Sequence, residues 1–73
     1  MPITDYAEQL TENPELTAVK TDGGIIYEDK DGRRAGYVNA DGNLVVINNP
    51  DEHTAVFYID TDYDGIVDER IKK

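Results

Sequence analysis

Asp-Gly dipeptides punctuate this chain at Asp22-Gly23, Asp31-Gly32, Asp41-Gly42 and Asp64-Gly65. A two-residue hairpin turn needs positive φ at its centre, which glycine adopts freely and aspartate tolerates. The segments between these points are short and rich in β-branched and aromatic residues, so the chain has to fold back on itself repeatedly. Strands are expected over residues 16–20, 25–28, 34–38 and 43–47, followed by a longer loop at 48–52. His53 opens a further strand that runs to residue 59, and a last strand covers 67–71. A ten-residue echo supports this reading, since Tyr27 leads to Asp31-Gly32 as Tyr37 leads to Asp41-Gly42. Two such copies fall short of a solenoid, which needs at least about three stacked units.

The one convincing helix precedes the strands, over residues 3–13. Ile3, Tyr6, Ala7 and Leu10 recur at helical spacing on one face, with Asp5, Glu8, Gln9 and Glu12 elsewhere. Thr4 is the candidate N-cap, and Asn13-Pro14 stops the helix. A helix this short is unstable alone and has to dock. The fold class is therefore α+β, mainly β. A short N-terminal helix packs on a five- to six-stranded antiparallel meander or small roll. Residues 1–73 form one domain, with the meander over 16–71 and an acidic hairpin loop at 60–68. The strands are apolar on both sides: Ala55, Phe57 and Ile59 oppose Val56 and Tyr58. One side takes the helix, and the other has to curl into a roll or meet a partner, a second copy of the chain among the candidates.

At 73 residues the core is near the lower limit for a stable domain, and there is no cysteine to staple it. A bound metal or a partner subunit is the remaining kind of reinforcement. The formal net charge is −9, and no lysine or arginine lies between Arg34 and Arg70, where eight acidic residues do. Such a field attracts cations or basic proteins and excludes direct nucleic-acid binding through a basic face. It also disfavours anionic membrane surfaces. No apolar run approaches the length of a membrane span, and Met1-Pro2-Ile3-Thr4-Asp5 has no features of a secretion signal. The expectation is a complete, soluble product, cytoplasmic or virion-associated.

The densest acidic stretch is Asp60-Thr61-Asp62-Tyr63-Asp64-Gly65-Ile66-Val67-Asp68-Glu69. Alternate side chains of a tightly wound loop converge on one point, and clustered carboxylates call for a hard cation. The spacing resembles the first nine positions of an EF-hand calcium loop, and equally the loops of dockerins and thrombospondin type 3 repeats. The resemblance implies calcium ligands at Asp60, Asp62, Asp64 and Asp68, with the backbone carbonyl of Ile66 at the seventh position. It covers residues 60–69 only, and the twelfth position departs from it. Ile71 stands where an EF-hand has a bidentate Glu, so Glu69, water or another loop has to complete the shell. The flanks read as strands rather than helices. Asp29 and Asp31 with Gly32 make a truncated version, expected to be an ordinary turn.

No enzyme constellation survives. His53 is the only histidine, and cysteine and serine are absent, so the usual nucleophile pairs cannot be built. No phosphate loop is present. The chain reads as a non-enzymatic, acidic binding or structural module with a calcium loop, engaging a basic protein partner. Asp41, Asp51, Glu52, Tyr58 and Tyr63 are the candidate interaction residues. The alternative is a phage-type inhibitor that mimics DNA, its carboxylates standing in for phosphates in the basic groove of a host enzyme.

Overall fold

The computed structural model describes all 73 residues. A single helix, α1 (Ile3–Thr11), is followed by strands β1 (Thr17–Thr21), β2 (Gly24–Glu28), β3 (Arg34–Asn39), β4 (Leu44–Asn49), β5 (Thr54–Ile59) and β6 (Glu69–Lys72). Every strand pairs antiparallel with its neighbour in sequence, giving one six-stranded sheet in the order β1-β2-β3-β4-β5-β6. The meander turns at its Asp-Gly pairs as the sequence leads one to expect, with Gly32, Gly42 and Gly65 at positive φ, but at Asp22-Gly23 neither residue takes it and Gly24 does instead. The expected roll does not form: β1 and β6 remain at opposite edges, and the sheet stays open.

Strand alternation decides which side the helix covers. Ile3 and Leu10 of α1 bury against Tyr27 and Val45, with Ile25, Val38, Ile47 and Tyr58 packed around them. Val45 is completely buried. Tyr6 stacks on Tyr58 with ring centroids 3.8 Å apart, and the Thr11 hydroxyl meets the Tyr27 hydroxyl at 3.0 Å. Gly36 is what lets the helix come so close. A Cβ there would lie 2.5 Å from Leu10 Cδ2 and 2.9 Å from the Val46 carbonyl oxygen. A mid-strand glycine at such a point trades strand propensity for close approach.

The helix begins at Ile3, as its sequence suggests, but ends two residues earlier, at Thr11. Pro2, not Thr4, is the N-cap, and no side chain caps the first turn. The reason is distant in sequence. The Ile3 amide donates to the Gly65 carbonyl at 2.9 Å, and the Val67 amide donates to the Met1 carbonyl at 3.1 Å. Pro2 and Ile66 thus form a one-residue antiparallel bridge, which supplies a partner for an amide that a helix start leaves free. At the other end Glu12 is the C-cap. Asn13 turns its side-chain oxygen to the Glu15 amide at 3.0 Å, consistent with the bar on helical backbone before proline.

His53 is not in a strand. Pairing of Asn49 with Thr54 leaves residues 50–53 to close the hairpin, and His53 takes the left-handed conformation, φ 53°, that closure requires. The remaining strand ends shift by a residue or two, and β6 starts at Glu69 rather than 67. No helix is long and apolar enough to cross a membrane.

Candidate metal centre

The connection from β5 to β6 is built around Asp60, which is 2 % exposed. Its amide donates to the Asn43 carbonyl at 2.8 Å, and the Asn43 side-chain amide returns a bond to the Asp60 carbonyl at 3.2 Å. One carboxylate oxygen of Asp60 accepts from the Gly65 amide at 2.7 Å, the other from the Asp64 amide at 3.3 Å. The loop therefore winds around its own first aspartate. Gly65, at φ 91°, provides the reversal. Tyr63 also takes positive φ, 59°, with its side chain in solvent.

Asp68 closes the loop from the far side. Its carboxylate accepts from both the amide and the hydroxyl of Thr61, each at 3.1 Å, while its own amide donates to the Ile59 carbonyl. Asp64 accepts from the Ile66 amide at 2.9 Å. The consequence is convergence. Asp60, Asp62, Asp64 and Asp68 each present one carboxylate oxygen, and these four oxygens lie within 4.8 Å of one another.

The carboxyls titrate apart, as neighbouring acids do. Loss of hydration on burial opposes the charge on Asp60, but the Gly65 amide, the Asp62 carboxyl and the Asp64 amide outweigh it and hold the group below its ordinary value. Asp62 moves the other way, up to about 6, chiefly because it shares a proton with Asp68. Lost hydration and the Asp60 and Asp64 carboxyls add to the rise. No basic side chain pairs with this group; all three ion pairs of the molecule are on Arg33.

Of the other sequence-derived candidates, Ile66 stays in the loop, bridged to Pro2, and Glu69 opens β6 opposite Ile59, outside the gathered four carboxylates. Ile71 pairs with Phe57 within β6, so no carboxylate occupies the twelfth position. Asp41 lies in the β3–β4 turn at the same end of the sheet as the acidic loop. Asp51 and Glu52 lie in the β4–β5 turn at the opposite end, where Asp51 meets Arg33 at 3.2 Å. Tyr58 is under the helix, and Tyr63 projects from the loop, 64 % exposed. Sequence reasoning passed over Thr61 and Asn43. Thr61 had a local signal, a hydroxyl between two aspartates, but Asn43 is 17 residues from its partner and had none. Comparison of the chain with protein-family models, curated proteins and solved structures finds no match.

Proposed function

We propose that this chain is a small non-enzymatic interaction module whose β5–β6 loop binds calcium through Asp60, Asp62, Asp64 and Asp68. The observation that carries the reading is the convergence of four carboxylate oxygens within 4.8 Å with no basic group among them. A divalent cation relieves their repulsion and fixes the loop against the start of α1 through the Gly65–Ile3 and Met1–Val67 bonds. With no bidentate twelfth ligand, affinity is weak, on the order of 10⁻⁴ to 10⁻³ M. The same end of the sheet carries Asp22 and Asp41 in its other two turns, with no lysine or arginine in any of the three connections. It is the surface on which a basic protein partner would dock.

Calorimetric titration tests the metal. Calcium gives saturable heat in that range, magnesium gives less, and Asp62→Asn with Asp64→Asn together remove the heat. Absence of both heat and a melting shift at roughly 10 mM calcium, some tenfold above the weak end of the range, would sink the reading. A mimic of DNA needs carboxylates spaced out along a line, as phosphates are. Here they close on a point, which favours the cation.

A further inference from the structure

The side of the sheet away from α1 carries an unbroken apolar row. Val19 pairs with Ile26, Ile26 with Tyr37, Tyr37 with Val46, Val46 with Phe57, and Phe57 with Ile71. One residue from each strand thus lines up straight across the sheet, at mid-strand. The edges of the row are open, with Val19 38 % and Ile71 40 % exposed. No element of the chain covers this row, since α1 packs on the opposite side.

We infer that a second copy of this chain covers that face, with the two sheets face to face and their strands running in opposite directions. The proposal rests on the interaction-module reading but not on the calcium site. Area is the first argument. Six strands at about 4.8 Å spacing and about five residues at about 3.3 Å rise give a face of about 475 Å². Two such faces remove about 950 Å², above most packing contacts (under about 800 Å²) and in the range of a weak dimer. Stacked sheets of this kind sit about 10 Å apart, so the two rows face each other across one shared core.

Repulsion between like charges sets the direction. The β1–β2, β3–β4 and β5–β6 connections at one end of the strands contain Asp22, Asp41 and the four loop aspartates. The other end is mixed and near neutral: Lys30, Arg33, Arg34, Lys72 and Lys73 stand there with Glu28, Asp29, Asp31, Asp51 and Glu52, and Arg33 is taken up by three of those carboxylates. There, at the foot of the uncovered face, a shallow cleft of about 370 Å³ is lined by Arg34, His53 and Lys73 with Asn48 and Asn49, and by no carboxylate. A two-fold axis along the strands would set acidic turns against acidic turns, which repel. A two-fold axis along the apolar row instead superposes each row on its counterpart. It then places the Asp41 turn and the acidic loop of one copy over the near-neutral end of the other, where Arg34 and Lys73 line the cleft. The contact is isologous and closes as a dimer.

Sedimentation equilibrium of the wild-type chain, in chelator so that calcium binding has no part, reads the mass directly. The expected result is twice the chain mass at concentrations well under about 1 mM. Val19→Lys and Ile71→Lys change exposed positions, so the strand circular dichroism stays and the dissociation constant rises at least about tenfold. With no native cysteine, a nitroxide on Ala40→Cys reports the direction. In the opposed arrangement the two labels stand more than about 20 Å apart, a six-residue strand length, and in the parallel one they are closer. A monomer at about 1 mM overturns the dimer. A dimer indifferent to both lysine variants overturns the face, and short label distances overturn the direction. Loss of calcium heat with the dimer intact sinks the metal reading alone.

Discussion

Two acidic turns of this molecule solve the same electrostatic problem in different ways. In the β2–β3 turn, Asp29 accepts the amides of Asp31 and Arg33 at 2.9 Å each, and the Arg33 guanidinium reaches Asp29, Asp31 and Asp51. The chain supplies its own cation. Asp29 is held below its ordinary value, first by the Arg33 amide, and Arg33 is raised in turn, first by its bond to Asp51. In the β5–β6 loop, Asp60 likewise accepts two amides, but the three other carboxylates have no basic partner, and Asp62 is driven up to about 6. Both turns carry the Asp-x-Asp-Gly pattern. One positive side chain next to the glycine separates a finished turn from a loop that needs an outside ion.

The widest gap between the two should appear on adding calcium. At 10 mM calcium and a dissociation constant of 10⁻⁴ to 10⁻³ M, binding to the folded state adds about 1.4–2.7 kcal/mol to stability. For a domain of this size that is a rise in melting temperature of roughly 6–20 °C. Asp62→Asn with Asp64→Asn removes the rise, and Asp31→Asn leaves it intact. A calcium response that disappears with Asp31→Asn would place the ion in the wrong turn.

Much of this architecture is legible in the sequence, for a local reason. Strand periodicity and Asp-Gly turn chemistry act over a few residues, and sequential hairpins need nothing longer in range. The convergence of Asp60, Asp62, Asp64 and Asp68 is local in the same sense. What was not legible depends on contacts between distant residues. Pro2 rather than Thr4 caps the helix because Gly65 accepts the Ile3 amide, and Asp60 is anchored by Asn43 across the β4–β5 pair. Nor does alternation alone say which apolar side takes the helix. Gly36 held that information, as the one mid-strand position without a side chain, facing Leu10. Likewise His53 leaves its expected strand only because the Asn49–Thr54 register fixes where the hairpin closes.

Glycine substitutions give a matched test of intermediate size. Gly32 and Gly65 lie at φ 83° and 91°, and an added Cβ meets nothing within 4 Å at either. Steric overlap is absent, so only the backbone preference of an L-residue counts, about 1–2 kcal/mol in each case. Urea melts without metal should show Gly32→Ala and Gly65→Ala destabilised alike. With calcium present they separate, because only Gly65 shapes the proposed site, and Gly65→Ala loses part of the calcium gain. Equal behaviour in calcium would mean that the two turns are equivalent after all.

The smallest expected effect is the pH dependence of the metal-free chain, because Asp62 is exposed and solvent screens its interactions. Its folded value of about 6 lies above the ordinary 3.8. Between those two values the folded chain keeps a proton that the unfolded chain has lost. Stability therefore falls as pH rises through that window and is level above it. Asp60 and Asp29 have the opposite sign. Their folded values are depressed, so their contribution is present above the ordinary value and is lost as pH falls towards the folded one. The metal-free protein should melt higher at pH 5 than at pH 8, and calcium should close that gap by replacing the shared proton. Asp62→Asn flattens the decline without metal, since it removes the titrating group and keeps a side-chain oxygen. Arg33→Gln leaves that decline in place and alters only the acid limb, through Asp29. Thermal melts of the three proteins at both pH values, with calcium and with chelator, read all of this. A wild type that melts identically in the four conditions would make the loop a solvated turn like its Arg33-neutralised counterpart.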